Sequence, residues 1–315
     1  MAVAAGFLAA VALASQAHAF GFGLEIPVYN TFPNISSCVS EPLFYSCENK
    51  TEIKNTCCSP TPGGVVLQSQ FWSTYTGLES EGQLLPKDSW TIHGLWPDNC
   101  DGSYNQYCDF SRQYDPDPSP AVLPNGTIIP PYHGISVESW ILEFGRFDLL
   151  DYMSKYWINQ GASNSDFWAH EFSKHATCTS TFDVACYGPD YKEHQEVIDF
   201  YLAVVRAFQQ FPTFDMLAAA GIYPSNTTTY SLKQIEDALK SQTGAIPYIG
   251  CGGEYGTDLE EVWYYNHVMG TEQFGRFKSI DSDTPSTCNT TMGIWYYEIT
   301  PTSVREVRTE PCAVF

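Results

Sequence analysis

Eleven cysteines lie between residues 38 and 312 of this 315-residue chain. Such a number fits an oxidising compartment, where disulfide bonds constrain a fold. Zinc binding is the competing interpretation, but the sequence has no pair of Cys-x-x-Cys motifs. The adjacent Cys57 and Cys58 cannot easily bind one partner, so we expect them to reach two different segments. Because eleven is odd, one thiol is left over, and Cys312 is the candidate.

The N-terminus indicates the same compartment. An apolar run from Ala2 to Ala14 precedes the small-residue cleavage pattern Ala17-His18-Ala19, although the run lacks a Lys or Arg at its start. A buried N-terminal helix is the alternative. We predict a signal peptide over residues 1–19, a loose leader over 20–37, and no membrane span, because the run is too short and no longer one follows. The chain is then secreted or extracellular, or delivered to a vacuolar or lysosome-like compartment.

Five Asn-x-Ser/Thr triplets agree with this route. Each is an acceptor for an N-linked glycan if the chain is secreted. The acceptor residues are Asn34, Asn49, Asn125, Asn226 and Asn289.

Charge limits the possible partners. The formal net charge is −21, with 15 Lys and Arg against 36 Asp and Glu. Proteins that bind nucleic acid tightly neutralise phosphates with basic patches, so charge alone excludes a tight nucleic-acid binder.

The order of local patterns predicts one α+β domain, an antiparallel sheet packed against several helices and stapled by disulfides. It covers residues 38–315 and has a Pro-rich surface insert at 114–134. Asn164 or Ser165 is the expected cap of the second helix, Pro212 ends the third and Gly244 ends the fourth. The predicted helices are 137–158, 164–177, 190–211 and 231–244; the predicted strands are 63–72, 89–97 (ending at Pro97), 259–268, 273–280 and 293–300.

One predicted helix carries a dense ionisable cluster in "FWAHEFSKHATC", residues 167–178. Within this cluster His170 and Lys174 are four positions apart, Glu171 and His175 are four apart, and Glu171 and Lys174 are three apart, so these residues are neighbours on one helix surface. His170 and His175 are five apart, roughly 140° around the axis, whereas zinc helices place their histidines four apart. A solvated charged face is the plain alternative to catalysis.

A second segment, "TIHGLWPDNC" at 91–100, contains His93 on a predicted strand. A lone strand histidine is more often structural. Together, however, the two segments resemble the two signature segments of the T2 ribonucleases, which are secreted, base-non-specific acid ribonucleases. "CSP…GGVVLQSQFW" resembles the preceding strand, and the order of the first ten cysteines is similar to that of fungal-type members. The chain departs from the family at Phe172 and Ala176, where Trp and Gly are usual, and its insert and tail are longer than in the smaller members.

The resemblance implies a metal-independent endoribonuclease without a cofactor, acting as a monomer on single-stranded RNA and not on DNA. Its products would be a 2′,3′-cyclic phosphate and then a 3′-phosphate, with low base specificity and an acidic pH optimum. His175 would be the first base and His93 the first acid, with Lys174 and Glu171 stabilising the pentacovalent phosphate. The remaining implied residues are His170 and Trp96 at the phosphate, Trp96, Asp98 and Tyr104 at the first base, and Gln70, Asn159, Gln160 and Phe167 at the second base.

The resemblance also implies a disulfide pattern. The pairs are Cys38–Cys58, Cys47–Cys100, Cys57–Cys186, Cys108–Cys178 and Cys251–Cys288. Two other functions stay open: a secreted zinc hydrolase that uses these histidines as ligands, and a non-catalytic glycosylated binding protein on the same scaffold.

Overall fold

The computed structural model describes residues 38, 41, 44–49 and 52–305. The predicted signal peptide, the leader, Asn34, Cys312 and the end of the tail lie outside the described residues.

The described chain forms a seven-stranded sheet. Five of its strands lie side by side in the order β3-β1-β6-β8-β4, and β5 and β7 also pair with β6. Its ladders are antiparallel except for one parallel contact between β6 and β8, and a separate parallel pair joins β2 to β9. The strands are β1 (Val65–Phe71), β2 (Leu85–Pro86), β3 (Thr91–Asp98), β4 (Thr229–Tyr230), β5 (Tyr248–Gly252), β6 (Asp258–Met269), β7 (Arg276–Ile280), β8 (Ile294–Trp295) and β9 (Val304–Arg305).

Helices pack on the sheet and confirm the predicted α+β class. The helix Gln195–Gln210 packs against β1 and β3, so the inward side chains of these strands share one apolar core with the helices. The helices are α1 (Val137–Glu143), α2 (Phe147–Tyr156), α3 (Asn164–Lys174), α4 (Gln195–Gln210), α5 (Thr213–Ala219) and α6 (Leu232–Thr243). Short 3-10 turns occur at Glu79–Glu81, Phe110–Arg112, Ala176–Cys178, Ser180–Phe182, Val184–Cys186 and Gly188–Asp190.

The two faces of β1 have different roles. Val66 and Gln68 face the helical core, whereas Leu67, Ser69 and Phe71 lie on the opposite face. That opposite face supports the candidate site described below.

Several predicted boundaries are wrong. The helix predicted over 137–158 is two helices, because Gly145 adopts a left-handed φ of 68° between them. The third helix starts at Gln195, five residues later than predicted, and a further helix, α5, follows Pro212 directly. Strand β3 runs one residue past Pro97, and strand β5 has no counterpart in the prediction.

For two other helices, the predicted caps can be compared with those in the structure. Helix α6 has Ser231 as its cap, with a capping box to Gln234, and ends at Gly244 as predicted. Helix α3 is preceded by Ser163, so the predicted caps Asn164 and Ser165 are its first two residues instead.

The Pro-rich insert is only partly a surface excursion. Val122 and Ile128 form a single bridge in its exposed middle. Its first residues are buried instead: Tyr114 donates its backbone N–H to Ser173 Oγ at 2.8 Å, and Asp115 is 2% exposed. The prediction of a wholly surface insert is therefore wrong for this end.

The disulfide pattern is confirmed for all five predicted bridges. Cys108–Cys178 joins the loop after β3 to the turn after α3. Among the predicted glycan acceptors, Asn49, Asn125 and Asn226 are exposed and Asn289 is half-buried. None of the helices in the described part of the chain has the length and hydropathy needed to cross a membrane.

Candidate active site

His93 faces the site because β3 contains a β-bulge. In the pairing with β1, Ser69 lies opposite Gly94 and the next residue of β1 lies opposite Ile92, which leaves His93 as the extra residue. In a regular strand His93 and Trp96 would point to opposite faces, because they are three positions apart. A bulge resets this alternation and re-aims the side chain. The two rings consequently share one face and meet edge-on at 4.6 Å.

Helix α3 lies beside this strand and supplies the second set of side chains. Trp168 and Phe172 anchor the helix in the core. The helix ends at Lys174, and His175 occupies the C-cap position with φ −109° and ψ −55°. The N–H of His175 still donates to the carbonyl of Glu171 at 3.2 Å, so the predicted spacing of four is kept by the last turn.

Glu171 is fully buried beneath Gly94 and Trp96. Its Oε2 accepts a hydrogen bond from Trp96 Nε1 at 2.7 Å, and its Oε1 lies 3.7 Å from His93 Nε2. A Cβ atom at Gly94 would overlap the carboxyl group and crowd the indole nitrogen, so this close approach requires glycine. Within the described residues Oε1 has no hydrogen-bond partner, which leaves a buried acceptor beside His93.

His175 contacts the same indole. Its ring stacks on Trp96 with centroids 5.2 Å apart and planes at 23°, and the residue is 9% exposed. Burial holds the pKa of His175 well below its usual value, and the positive charges of Lys174, His170 and His93 lower it further. His175 is therefore neutral, and able to accept a proton, in mildly acidic solution.

Lys174 is half-buried at the end of α3. Among the residues that the structure describes, no carboxylate forms an ion pair with its ammonium group. A lysine at a helix C-terminus is favoured by the negative end of the helix dipole. The site thus contains a positive charge that no described side chain neutralises.

His170 is held by a carboxylate that the sequence prediction missed. Asp115 Oδ2 is 2.7 Å from His170 Nδ1 and accepts a hydrogen bond from the Tyr107 hydroxyl at 2.8 Å. The backbone N–H of Tyr107 donates to the carbonyl of Lys174 at 2.9 Å, which docks this loop on the end of α3. With Nδ1 engaged, Nε2 is the nitrogen of His170 left for a ligand.

The residues predicted for the first base lie at the outer end of β3. Asp98 and Tyr104 form a single β-bridge, and the Tyr104 side chain is 65% exposed and accessible for stacking. Burial raises the pKa of Asp98 to about 7, with a further contribution from the negative charge of Asp283. In acid, Asp98 is a neutral carboxyl that both donates and accepts.

The residues predicted for the second base line a cleft of about 610 Å³ that begins at His93. Asn159, Gln160 and Phe167 form one wall of it. Phe167 lies 5.5 Å from the His93 ring, whereas the Gln160 amide donates to the Tyr75 carbonyl at 3.1 Å. The opposite wall is acidic and contains Asp258, Glu260 and Glu261.

Gln70 does not reach this cleft. It is fully buried, and it adjoins Phe71 in β1, so the two side chains point to opposite faces of the strand. Its amide nitrogen donates to the Phe211 carbonyl at 2.7 Å, and its Oε1 accepts from the Thr213 hydroxyl at 2.6 Å. The prediction that Gln70 contacts a base is therefore wrong, because the core uses both of its polar atoms.

Two carboxylates near the histidines had no local signal in the sequence. Asp115 lies inside the Pro-rich segment, and Glu261, which is 2.7 Å from His93 Nδ1, is one of several acidic residues in a strand pattern. Only the packing of distant segments brings either of them to a histidine. Within the described residues, no group of three or more His, Cys, Asp or Glu side chains is arranged to hold a metal ion.

A disulfide-stapled α+β domain with paired histidines, a lysine and a buried glutamate at an aromatic cleft has the make-up of a ribonuclease. The chain belongs to the ribonuclease T2 family, whose model matches residues 63–288. Ribonuclease T2 of Aspergillus oryzae is 40% identical to it over 253 residues, covering 80% of each chain. Ribonuclease Trv of Hypocrea rufa is 40% identical over 244 residues, covering 77% of this chain and 91% of that protein.

A solved structure agrees with these relatives. The crystal structure of Actibind, a T2 ribonuclease, is 36% identical and superposes with a TM-score of 0.67, covering 82% of this chain and 96% of that one. Membership of this family supports an endoribonuclease that acts on RNA.

Proposed function

We propose that the protein is a secreted, metal-independent endoribonuclease that cleaves single-stranded RNA with low base specificity. The 2′-hydroxyl attacks the adjacent phosphorus and the bond to the 5′-oxygen breaks, giving a 2′,3′-cyclic phosphate. Water then attacks the cyclic phosphate, the bond to the 2′-oxygen breaks, and a 3′-phosphate remains. The observation that carries the proposal is that the His93 and His175 rings both contact the Trp96 indole, one edge-on and the other stacked on it.

The lowered pKa of His175 supports its role as the first base. A general base works best when its pKa lies near the working pH, and burial together with neighbouring positive charges makes His175 a neutral acceptor in acid. It takes the proton of the 2′-hydroxyl in the first step. In the second step it returns a proton to the departing 2′-oxygen.

His93 is the complementary acid. Carboxylates approach both of its ring nitrogens, Glu261 at Nδ1 and Glu171 at Nε2, and negative charge stabilises an imidazolium. It donates a proton to the departing 5′-oxygen and later accepts one from the attacking water. Two histidines in opposite electrostatic surroundings thus divide the acid and base roles.

Lys174, His170 and Glu171 complete the phosphate site. The Lys174 ammonium and the free Nε2 of His170 would bind the phosphate oxygens, on which negative charge grows in the transition state. Glu171 would orient Trp96 and His93 through the contacts described above. We place the upstream base at Asp98, Trp96 and Tyr104, and the downstream base in the cleft formed by Asn159, Gln160 and Phe167; stacking on aromatic rings is tolerant of base identity.

The acidic optimum follows from the same groups. In acid His175 is still neutral, as a base must be, and fewer carboxylates are ionised to repel RNA. We therefore expect a bell-shaped pH profile centred in acid. We also propose that the protein is a monomer without a cofactor, that it does not cleave DNA, and that it carries N-linked glycans.

The test is digestion of single-stranded RNA by the wild type and by His93→Phe, His175→Phe and His133→Phe. The first two variants should lose cleavage while retaining the circular dichroism spectrum. His133, an exposed histidine of the insert, is the matched control and should retain full activity. Products should end in a 2′,3′-cyclic phosphate that converts to a 3′-phosphate, with or without EDTA. Turnover in both site variants would refute the mechanism, loss with EDTA would favour the zinc hydrolase, and binding without cleavage would favour the binding protein.

A further inference from the structure

Glu261 and His93 form a close hydrogen-bonded pair at the mouth of the cleft. Glu261 Oε1 lies 2.7 Å from His93 Nδ1, and the side chains are only 18% and 21% exposed. The Ser69 hydroxyl donates to the same carboxyl oxygen at 3.2 Å. Phe71, which lies opposite Glu261 in the sheet, stacks on the imidazole at 3.9 Å. Both the carboxylate and the ring are therefore held in place.

This pairing decides which nitrogen of His93 can transfer a proton. A carboxylate at Nδ1 accepts that N–H, so the Nδ1 proton stays in the pair. Nε2 is then the nitrogen that gains or releases the exchanging proton. It is also the nitrogen that faces Glu171 Oε1, on the side of the ring near Trp96.

The neighbouring acidic residues of the cleft wall are placed differently. Glu260 is exposed, and β-strand alternation turns its side chain away from the face that carries Glu261. Glu171 lies near Nε2, and its Oε2 is bound by Trp96 Nε1. Glu261 is thus the carboxylate that contacts Nδ1 of His93.

We propose that Glu261 is a positioning residue for His93: it fixes the imidazole with Nε2 toward the scissile phosphate and stabilises the protonated ring. This role rests on the proposed function. Glu261 itself touches no reacting atom. Its contribution should appear wherever His93 must hold or take a proton, and vanish where His93 is not needed.

The experiment compares two substrates that differ in their need for an acid. Cleavage of a dinucleoside monophosphate requires a proton on the departing 5′-oxygen, whereas a nucleoside 3′-(4-nitrophenyl phosphate) releases a phenolate without one. The variants are Glu261→Gln, which keeps a hydrogen-bond acceptor but loses the charge, and Glu261→Leu, which loses both. Glu254→Gln is the matched control: it removes the same charge at an exposed carboxyl that does not line the cleft.

We expect Glu261→Gln to lower kcat on the dinucleoside monophosphate by about 10- to 100-fold, the loss typical when a carboxylate that orients a metal-binding histidine is removed. Glu261→Leu should lower it further. Hydrolysis of the 2′,3′-cyclic phosphate should slow in parallel, because His93 is the base there. Cleavage of the nitrophenyl ester should stay within about threefold of wild type, since general acid catalysis contributes nothing to it. Glu254→Gln should match the wild type on every substrate.

Equal losses on the nitrophenyl ester and the dinucleoside monophosphate would overturn the proposal, because they would show a role in folding or binding only. Wild-type kcat of Glu261→Gln on the dinucleoside monophosphate would also overturn it. Both results leave the proposed function standing, since the wild type still cleaves RNA. A wild-type protein that cleaves no RNA would instead refute the proposed function, and the positioning role would fall with it.

Discussion

The buried carboxyl of Glu272 should make the stability of this protein depend on pH. Glu272 lies in the turn between β6 and β7 and is 3% exposed. Burial raises the pKa of Glu272 from 4.5 to about 8, an effect that the nearby Thr179 hydroxyl only partly offsets. The folded protein therefore holds a proton that the unfolded chain releases above its ordinary pKa.

The sign and size of the effect follow from this difference. For a group with a raised folded pKa, stability is fully present below the unfolded pKa and is lost as the pH rises toward the folded pKa. The unfolded pKa is 4.5 and the folded pKa is about 8. At pH 7 the unfolded chain is ionised and the folded one is mostly protonated, so a span of about 2.5 pH units at 1.36 kcal/mol per unit costs about 3 kcal/mol. Around pH 4.5 the cost is below about 0.5 kcal/mol.

The assay is urea denaturation of the wild type and of Glu272→Gln between about pH 4.5 and pH 7, the window set by the two pKa values. The amide cannot ionise, so the free energy of unfolding of the variant should gain about 3 kcal/mol on the wild type across this window. Glu254→Gln, at an exposed carboxyl, should show no such gain. A constant difference between Glu272→Gln and the wild type at all pH values would refute the reasoning.

Three further predictions concern the site. Gly94→Ala should lower kcat about 100-fold with an intact fold, because the added methyl displaces the Glu171 carboxyl. Steady-state kinetics measure the loss and circular dichroism checks the fold; a wild-type kcat would contradict the prediction. Gln70→Leu should cost about 1–3 kcal/mol in urea denaturation and leave the downstream base preference unchanged, whereas Asn159→Ala should alter that preference on a dinucleotide set and leave stability nearly unchanged. Burial raises the pKa of Asp98 to about 7, so its carboxyl can donate a hydrogen bond in acid. The upstream base preference should therefore change between about pH 5 and pH 8 in the wild type but not in Asp98→Asn. Identical preferences at both pH values in the wild type would disprove this prediction.

Local rules in the sequence predict much of the fold. Ser231 and Gly244 fix helix α6 because a cap and a left-handed stop act within one turn. The break at Gly145 was missed because apolar residues continue with helical spacing on both sides of it. Strand β5 was missed because two of its residues, Gly250 and Gly252, lower its strand propensity, and its pairing with β6 supplies what the local sequence lacks.

Local sequence patterns likewise predict some residues of the candidate site and miss others. The four residues at the C-terminal end of α3 are close in sequence, so helical spacing alone brings them near one another. The partners Asp115 and Glu261 come from a distant loop and a distant strand, and no local pattern marks them. The bulge at His93 depends on pairing with β1 and on the Trp157 indole, which donates to the His93 carbonyl at 2.9 Å.

The charge of the chain shows why a formal count misleads for an enzyme of this family. A count assigns full charge to every carboxyl, whereas burial raises the pKa of Asp98 and Asp199 to about 7 and that of Glu272 to about 8. Burial and the charges of Asp258 and Glu261 likewise raise the pKa of Glu260 in the cleft wall. These groups gain protons in acid, so the field that opposes an approaching phosphate weakens under the conditions in which burying Glu272 costs the fold least. The net charge excludes tight RNA retention at neutral pH, but it is compatible with brief binding and turnover in acid.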